Sequence, residues 1–192
     1  MAKEKTLNDL FLETMKDVYY AEKQASRMMP KMAKAVKNPE LRQALETHRE
    51  ESEGQVDRLE QVFEMLGKPA RGKSCEAMQG LLEETKEVLE DFGQSPALDA
   101  GLIACAQAVE HYEIARYGTL KTWATQLGMQ DAAKLLDETL QEEKRTDEIL
   151  SRIAEGGANA DAGQGELSDD DEEDESEEAP AKEKTKGKAK AK

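Results

Sequence analysis

The feature that most constrains the fold of this chain is an internal repeat built around four evenly spaced glutamates. Glu22 and Glu51 stand 29 residues apart, and Glu113 and Glu142 repeat the interval. A turn signal falls midway in each, Asn38-Pro39 in the first and Gly128 in the second. If each pair spans a helical hairpin, every glutamate lies about 14 residues from its turn, and partners reach the same height, roughly 20 Å from it. Shifting the sequence by 91 residues superposes the hairpins without gaps: Leu45, Glu51 and Leu59 fall on Leu136, Glu142 and Leu150, and Glu22 on Glu113. Two such hairpins packed together put four carboxylates in one layer of a bundle. In a low-dielectric core these repel one another unless a cation neutralises them. The bland alternative stays open, because a chain with 42 acidic residues also offers equal spacings by chance on a solvated face.

Hydrophobic periodicity near 3.6 marks the elements. The first helix is expected over 7–36, entered through Thr6 with Asp9 as a capping box, and Pro30 should kink it or end it early. Asn38-Pro39 caps a second helix that Gly67 closes. After it the chain crosses over from Gly67 to Pro96, with a shorter helix over 75–92 capped by Ser74. Ser95-Pro96 opens a third bundle helix that Gly128 stops, and a fourth runs over 130–153 until Gly156-Gly157. Short joins make hairpin partners antiparallel, whereas the long crossover lets the third helix run parallel to the second. The expected fold is therefore all-α: a four-helix bundle of two antiparallel hairpins over 1–155, with a long crossover carrying an extra helix. Residues 156–192, acidic over 168–178 and lysine-rich over 179–192, are expected to be a disordered tail, being unable to bury enough apolar surface to offset chain entropy.

Composition narrows the function. A net charge of −15 argues against nucleic acid or anionic membrane as a partner of the bundle, leaving the lysine-rich end as the one segment suited to such contacts. No apolar run approaches the roughly 20 residues needed to span a bilayer, and residues 1–6 lack the apolar core of a signal peptide, so a cytoplasmic protein is expected. Cys75 and Cys105 have neither disulfide-framework nor metal-site spacing and read as free thiols. No nucleotide-binding glycine motif and no nucleophile triad is present. His48 lies three residues before Glu51, and Glu110 three before Glu113, so each shares a helix face with a glutamate and can add a donor to it. His111 points about 100° away from that face. The candidate metal ligands are thus Glu22, His48, Glu51, Glu110, Glu113 and Glu142. An ordinary core or surface role for His48 is an equal alternative.

Several stretches resemble a known family. His48-Arg49-Glu50-Glu51 with Gln55 and Arg58-Leu59-Glu60, the run Val109-Glu110-His111-Tyr112-Glu113-Ile114-Ala115-Arg116-Tyr117-Gly118, and Thr139-Leu140-Gln141-Glu142-Glu143 are similar to the YciE/YciF family of ferritin-like stress proteins. The resemblance covers about 6–153. It implies a ferritin-like four-helix bundle, usually a homodimer, with a di-iron or di-manganese carboxylate centre, and it supplies no assigned reaction. This chain departs from the broader ferritin-like pattern, in which Glu-x-x-His recurs on helices two and four: Gly54 follows Glu51 at that spacing and Arg145 follows Glu142. Two function classes remain. One is a dinuclear metalloprotein handling metal, oxygen or peroxide, with Glu51 and Glu142 bridging two iron or manganese ions and Glu22 and Glu113 terminal. Tyr19, Tyr20 and Tyr112 then lie close in sequence to the ligands as electron relays or core fillers. The other is a non-enzymatic dimeric scaffold acting through partner binding, its glutamates a relic. A ferritin-type storage cage is a third and weaker option.

Overall fold

The computed structural model describes residues 4–163; the acidic and lysine-rich tail segments lie outside the described residues. Helices α1 (Leu7–Ala35) and α2 (Pro39–Met65) form the first hairpin, and α4 (Leu98–Gln126) and α5 (Gln130–Ile153) the second. The crossover between them carries α3 (Glu76–Asp91), which packs on α4 and α1. Across the bundle α2 packs on α5 and α1 on α4. Among the described residues there is no strand, so the fold is the expected ferritin-like all-α bundle.

The punctuation works as its chemistry requires. Thr6 Oγ1 accepts from the Asp9 amide while the Asp9 carboxylate accepts from the Thr6 amide, closing a reciprocal capping box. Asn38 Oδ1 accepts from the amides of Glu40 and Leu41. Gly67 and Gly128 end α2 and α4 at φ of 62° and 78°, left-handed values that a Cβ would strain. Helix α1 runs to Ala35, close to the expected end, with Pro30 inside it; Met28, Met29, Met32 and Ala33 are buried on both sides of the proline and packing holds the helix through the lost donor. Two other expectations need correction. Helices α3 and α4 take Cys75 and Ala97, not Ser74 or Ser95, as their N-caps, and neither makes a side-chain capping bond. Gly156-Gly157 interrupts the helix, with Gly157 at the non-helical φ of 149°, but it does not end the folded part: beyond this kink Ala158 is buried and the short α6 (Asn159–Ala162) follows.

Parallel α2 and α4 bring the start of α4 to the α1–α2 turn. There Asp99, buried, accepts from the amides of Lys37 at 2.9 Å and Asn38 at 2.7 Å, tying the crossover's end to the first hairpin. Two apolar clusters fill the bundle, one around Met28, Leu41, Leu102 and Leu150, the other around Phe11, Phe63, Leu120 and Leu136. Along every bundle helix the passage from one cluster to the other is interrupted: at Glu22 on α1, over 48–55 on α2, over 110–113 on α4 and over 143–146 on α5. The apolar core is thus divided by a polar layer. Replacing Asp99 by alanine leaves two part-buried amides without acceptors and is expected to cost about 2–3 kcal/mol, measured by urea unfolding.

Candidate metal centre

The inward face of each helix selects the side chains of the polar layer. On α2 the buried series is Leu41, Leu45, His48, Ser52, Gln55, Leu59, and on α5 it is Leu136, Thr139, Leu140, Glu143, Thr146, Leu150. Both follow i+3/i+4 steps. Helix α1 contributes Glu22, and α4 contributes Glu110 and Glu113. One donor atom from each of His48, Glu110, Glu113 and Glu143 lies within 4.8 Å of all the others, and all four residues are at most 3% exposed. His48 Nε2 is 3.1 Å from Glu110 Oε1 and 3.5 Å from Glu143 Oε2, but neither contact is aligned as a hydrogen bond. The other ring nitrogen, Nδ1, is 3.1 Å from Thr146 Oγ1 and 3.6 Å from Glu51 Oε2. With the proton on Nδ1, the hydrogen bond to Thr146 fixes the ring and leaves the Nε2 lone pair facing the carboxylates.

The six expected ligands are therefore sorted by the structure. It brings together His48, Glu110 and Glu113, and places Glu22 in the same buried layer, where the Tyr117 hydroxyl donates a short hydrogen bond to its Oε1. It does not bring in Glu142. That carboxylate turns outward to accept from Arg58 in a short ion pair and from Gln55 Nε2 at 3.2 Å, while its neighbour Glu143 occupies the cluster. Glu51 likewise stands off the inward face, one third exposed, between His48 and Arg145. The cause is helical phase: Glu51 and Glu142 precede the buried positions Ser52 and Glu143 by one residue, about 100° around the helix. Extending the leucine series of α5 by three- and four-residue steps from Leu136 through Leu140 would have reached Glu143. His111 is on the surface, 67% exposed, against Asp147. Of the tyrosines, Tyr19 donates to Glu60, Tyr20 accepts from Gln79 and Tyr112 meets the Cys75 thiol; the one bonded to the layer is Tyr117.

Electrostatics marks the layer as incomplete. Burial pushes the Glu22 carboxyl up to about 7, against the opposing pull of Tyr117 and His48. Burial, reinforced by neighbouring carboxylates, raises Glu113 and Glu143 well above the usual range. Burial pulls His48 down, but Glu110, Glu51 and Glu113 together outweigh it and raise the imidazole well above 6.5. Eight buried side-chain polar atoms of the described residues lack a hydrogen-bond partner, and all eight lie here: Glu22 Oε2, His48 Nε2, Ser52 Oγ, Gln55 Oε1, Glu110 Oε2, Glu113 Oε1 and both oxygens of Glu143. Native interiors pair such groups. A divalent ion fits the chemistry of the set, one imidazole nitrogen and three carboxylates with donor atoms within 4.8 Å of one another, the ligand types that manganese and iron take.

An all-α bundle of two hairpins with a buried carboxylate–histidine cluster at mid-height defines a ferritin-like class. Within it, residues 6–163 match the family described as a domain of unknown function, DUF892, and the chain belongs to that family. Protein YciF of Escherichia coli K12 is 48% identical over 159 residues, covering 82% of this chain and 96% of YciF. The crystal structure of the E. coli stress protein YciF superposes with a TM-score of 0.76 at 46% identity, over 84% of this chain and all of that one. YcfI of Rhodopseudomonas palustris, described as a candidate structural protein, gives 0.74 at 42% identity over 79% and 97%.

Two predictions follow the geometry. In metal-free protein, Glu142→Gln breaks the Arg58 pair and is expected to destabilise by about 1–3 kcal/mol, whereas Glu143→Gln removes a buried charge and is expected to stabilise by about 1 kcal/mol at pH 8, both read by urea unfolding. The raised carboxyls bind protons in the folded state that the unfolded chain has released. Stability of the metal-free protein therefore falls as pH rises from about 4.5 through 7, and His48 adds to the fall as it loses its proton. Thermal melts should drop steadily between about pH 5 and pH 8, and saturating manganese should reverse the drop.

Proposed function

We propose that this chain is a YciF-like stress protein whose polar layer binds iron or manganese and handles metal, oxygen or peroxide. The observation that carries the reading is the concentration of unpartnered buried donors in one layer, three of whose four core members are carboxylates. His48, Glu110, Glu113 and Glu143 would hold one ion, with Glu22 and the neutral oxygens of Ser52 and Gln55 beside it for a second. Such an oxygen-rich set with a single imidazole suits manganese or iron. A redox-capable ion there would supply electron transfer to or from dioxygen or peroxide. The protein's own residues do the rest. The carboxylates offset the ion's charge in a dry interior, Thr146 orients His48, and Tyr117 holds Glu22 in position by its hydrogen bond. A cytoplasmic homodimer is the assembly this reading retains. Leu10 and Met65, half-exposed on neighbouring helix ends, are the apolar side chains it would use, and light scattering reads the mass.

The structural description attached to the R. palustris relative favours a second reading, a scaffold with no bound metal. Metal analysis separates the two. Protein purified after growth with added iron and manganese is expected to carry one to two ions per chain, and Glu113→Ala with Glu143→Ala to carry none, while Glu142→Gln keeps the wild-type content. Metal-free wild-type protein that takes up neither ion would establish the scaffold.

A further inference from the structure

The four cluster residues are at most 3% exposed, so a hydrated ion cannot meet them directly. A cavity on the α1 side, lined by Met28, Met32 and Val109, borders His48 and Glu110, but at about 20 Å³ and with apolar walls it admits little more than one water. The α2–α5 side is different. There a groove of about 660 Å³ opens between the helices, with Glu51 and Arg145 along it and His48 and Thr146 among its walls. We infer that this groove is the route by which cations reach the polar layer, and that Glu51 is the carboxylate that first holds them. The inference rests on the metal-binding reading above.

Glu51 is built for both ends of that path. One oxygen is 3.6 Å from His48 Nδ1, and the other is 4.0 Å from Arg145 Nη2. Glu51 is one third exposed, and Arg145 is 58% exposed with no closer acid than Glu51 among the described residues. A long, solvated pair of this kind contributes about 0–1 kcal/mol and yields readily to an arriving divalent ion. Its repeat counterpart behaves oppositely. Glu142 is locked to Arg58, both only 18% exposed, and Arg58 Nε donates to Thr139 Oγ1 at 2.9 Å while Gln55 also holds the carboxylate. The repeat thus places equivalent glutamates on both flanks of the layer, one closed by an arginine and one left loose over a groove. With a net charge of −15, the chain also draws cations toward its surface; along the groove itself Glu40 adds a carboxylate and Arg152 a second guanidinium, so Glu51 is the acid nearest the layer.

The test is stopped-flow loading of metal-free full-length protein with cobalt(II), whose visible absorption changes on ligation. Glu51→Gln is expected to slow loading by about tenfold and Arg145→Gln to speed it severalfold, while Glu50→Gln, which removes the same charge from an exposed neighbouring position outside the groove, stays within about twofold of wild type. All variants should reach the wild-type end-point absorption, and thermal melts of the metal-free proteins confirm that each is folded. Equal rates for Glu51→Gln and wild type overturn the route and leave the metal site standing. Loss of end-point absorption in Glu51→Gln makes Glu51 a ligand and likewise overturns its role as a carrier. No cobalt binding by wild type removes the metal reading itself, and the route with it.

Discussion

The structure depends on the repulsion among buried carboxylates at the middle of the bundle. Glu22, Glu110, Glu113 and Glu143 converge where the apolar core would otherwise be continuous, and only one buried imidazole stands among them. An isolated buried carboxylate is costly, and several together cost more. The remaining architecture localises that cost. Two apolar clusters clamp the layer from above and below, four helices each give one to three side chains to it, and tight ties such as Asp99 to the α1–α2 turn keep the helices in register. A single apolar core of the same length would be more stable without metal. On the metal-binding reading, the divided core is what makes stability responsive to a cation.

The second organising interaction is the arginine pairing across α2 and α5. Glu51 and Glu142 are equivalent positions of the repeat, and both lie just outside the layer facing an arginine of the opposite helix. Arg58 also reaches electrostatically to Glu22 and lowers the proton affinity of its carboxyl. A positive charge at the rim of the layer therefore offsets part of the internal repulsion without occupying the space between the donors. Arg145 acts on Glu51 in the same sense but from solvent, where screening weakens it.

Much of this was legible in the residues. The helix count, the hairpins and the parallel crossover follow from caps, glycines and period. Glu22, Glu113, His48 and Glu110 were readable because each interrupts an apolar series and shares its phase. Glu143 was not, since Gln141, Glu142 and Glu143 are consecutive polar residues and the 29-residue spacing pointed one residue short. Equal spacing measures height along a hairpin to within a residue, but a one-residue step swings a side chain through about 100°. Tyr117 was missed for another reason: its partner Glu22 is on a different hairpin, 95 residues away, and no local pattern encodes that contact. The glycine pair at 156–157 breaks the helix as glycines do, but it misled as the end of the fold because the chain beyond the kink buries Ala158 and turns once more through α6.

The repeat itself explains the lopsided layer. A shift of 91 residues sets Ser52 against Glu143, Gln55 against Thr146 and His48 against Thr139. The backbone positions are kept and the chemistry has diverged, so the first hairpin supplies Glu22 and His48 while the second supplies three carboxylates. With a glutamate at Ser52, as at its counterpart Glu143, the layer would carry five buried carboxylates with one histidine. Ser52 and Gln55 instead present neutral oxygens that lack partners, which lowers the repulsion in the metal-free protein. Neutral oxygens hold a divalent ion less firmly than carboxylates do. On the metal-binding reading the divergence therefore grades the layer, with a strong position against α4 and α5 and a weaker one against α1 and α2. A gentler penalty in the empty protein is thus obtained by giving up symmetry between the two ion positions.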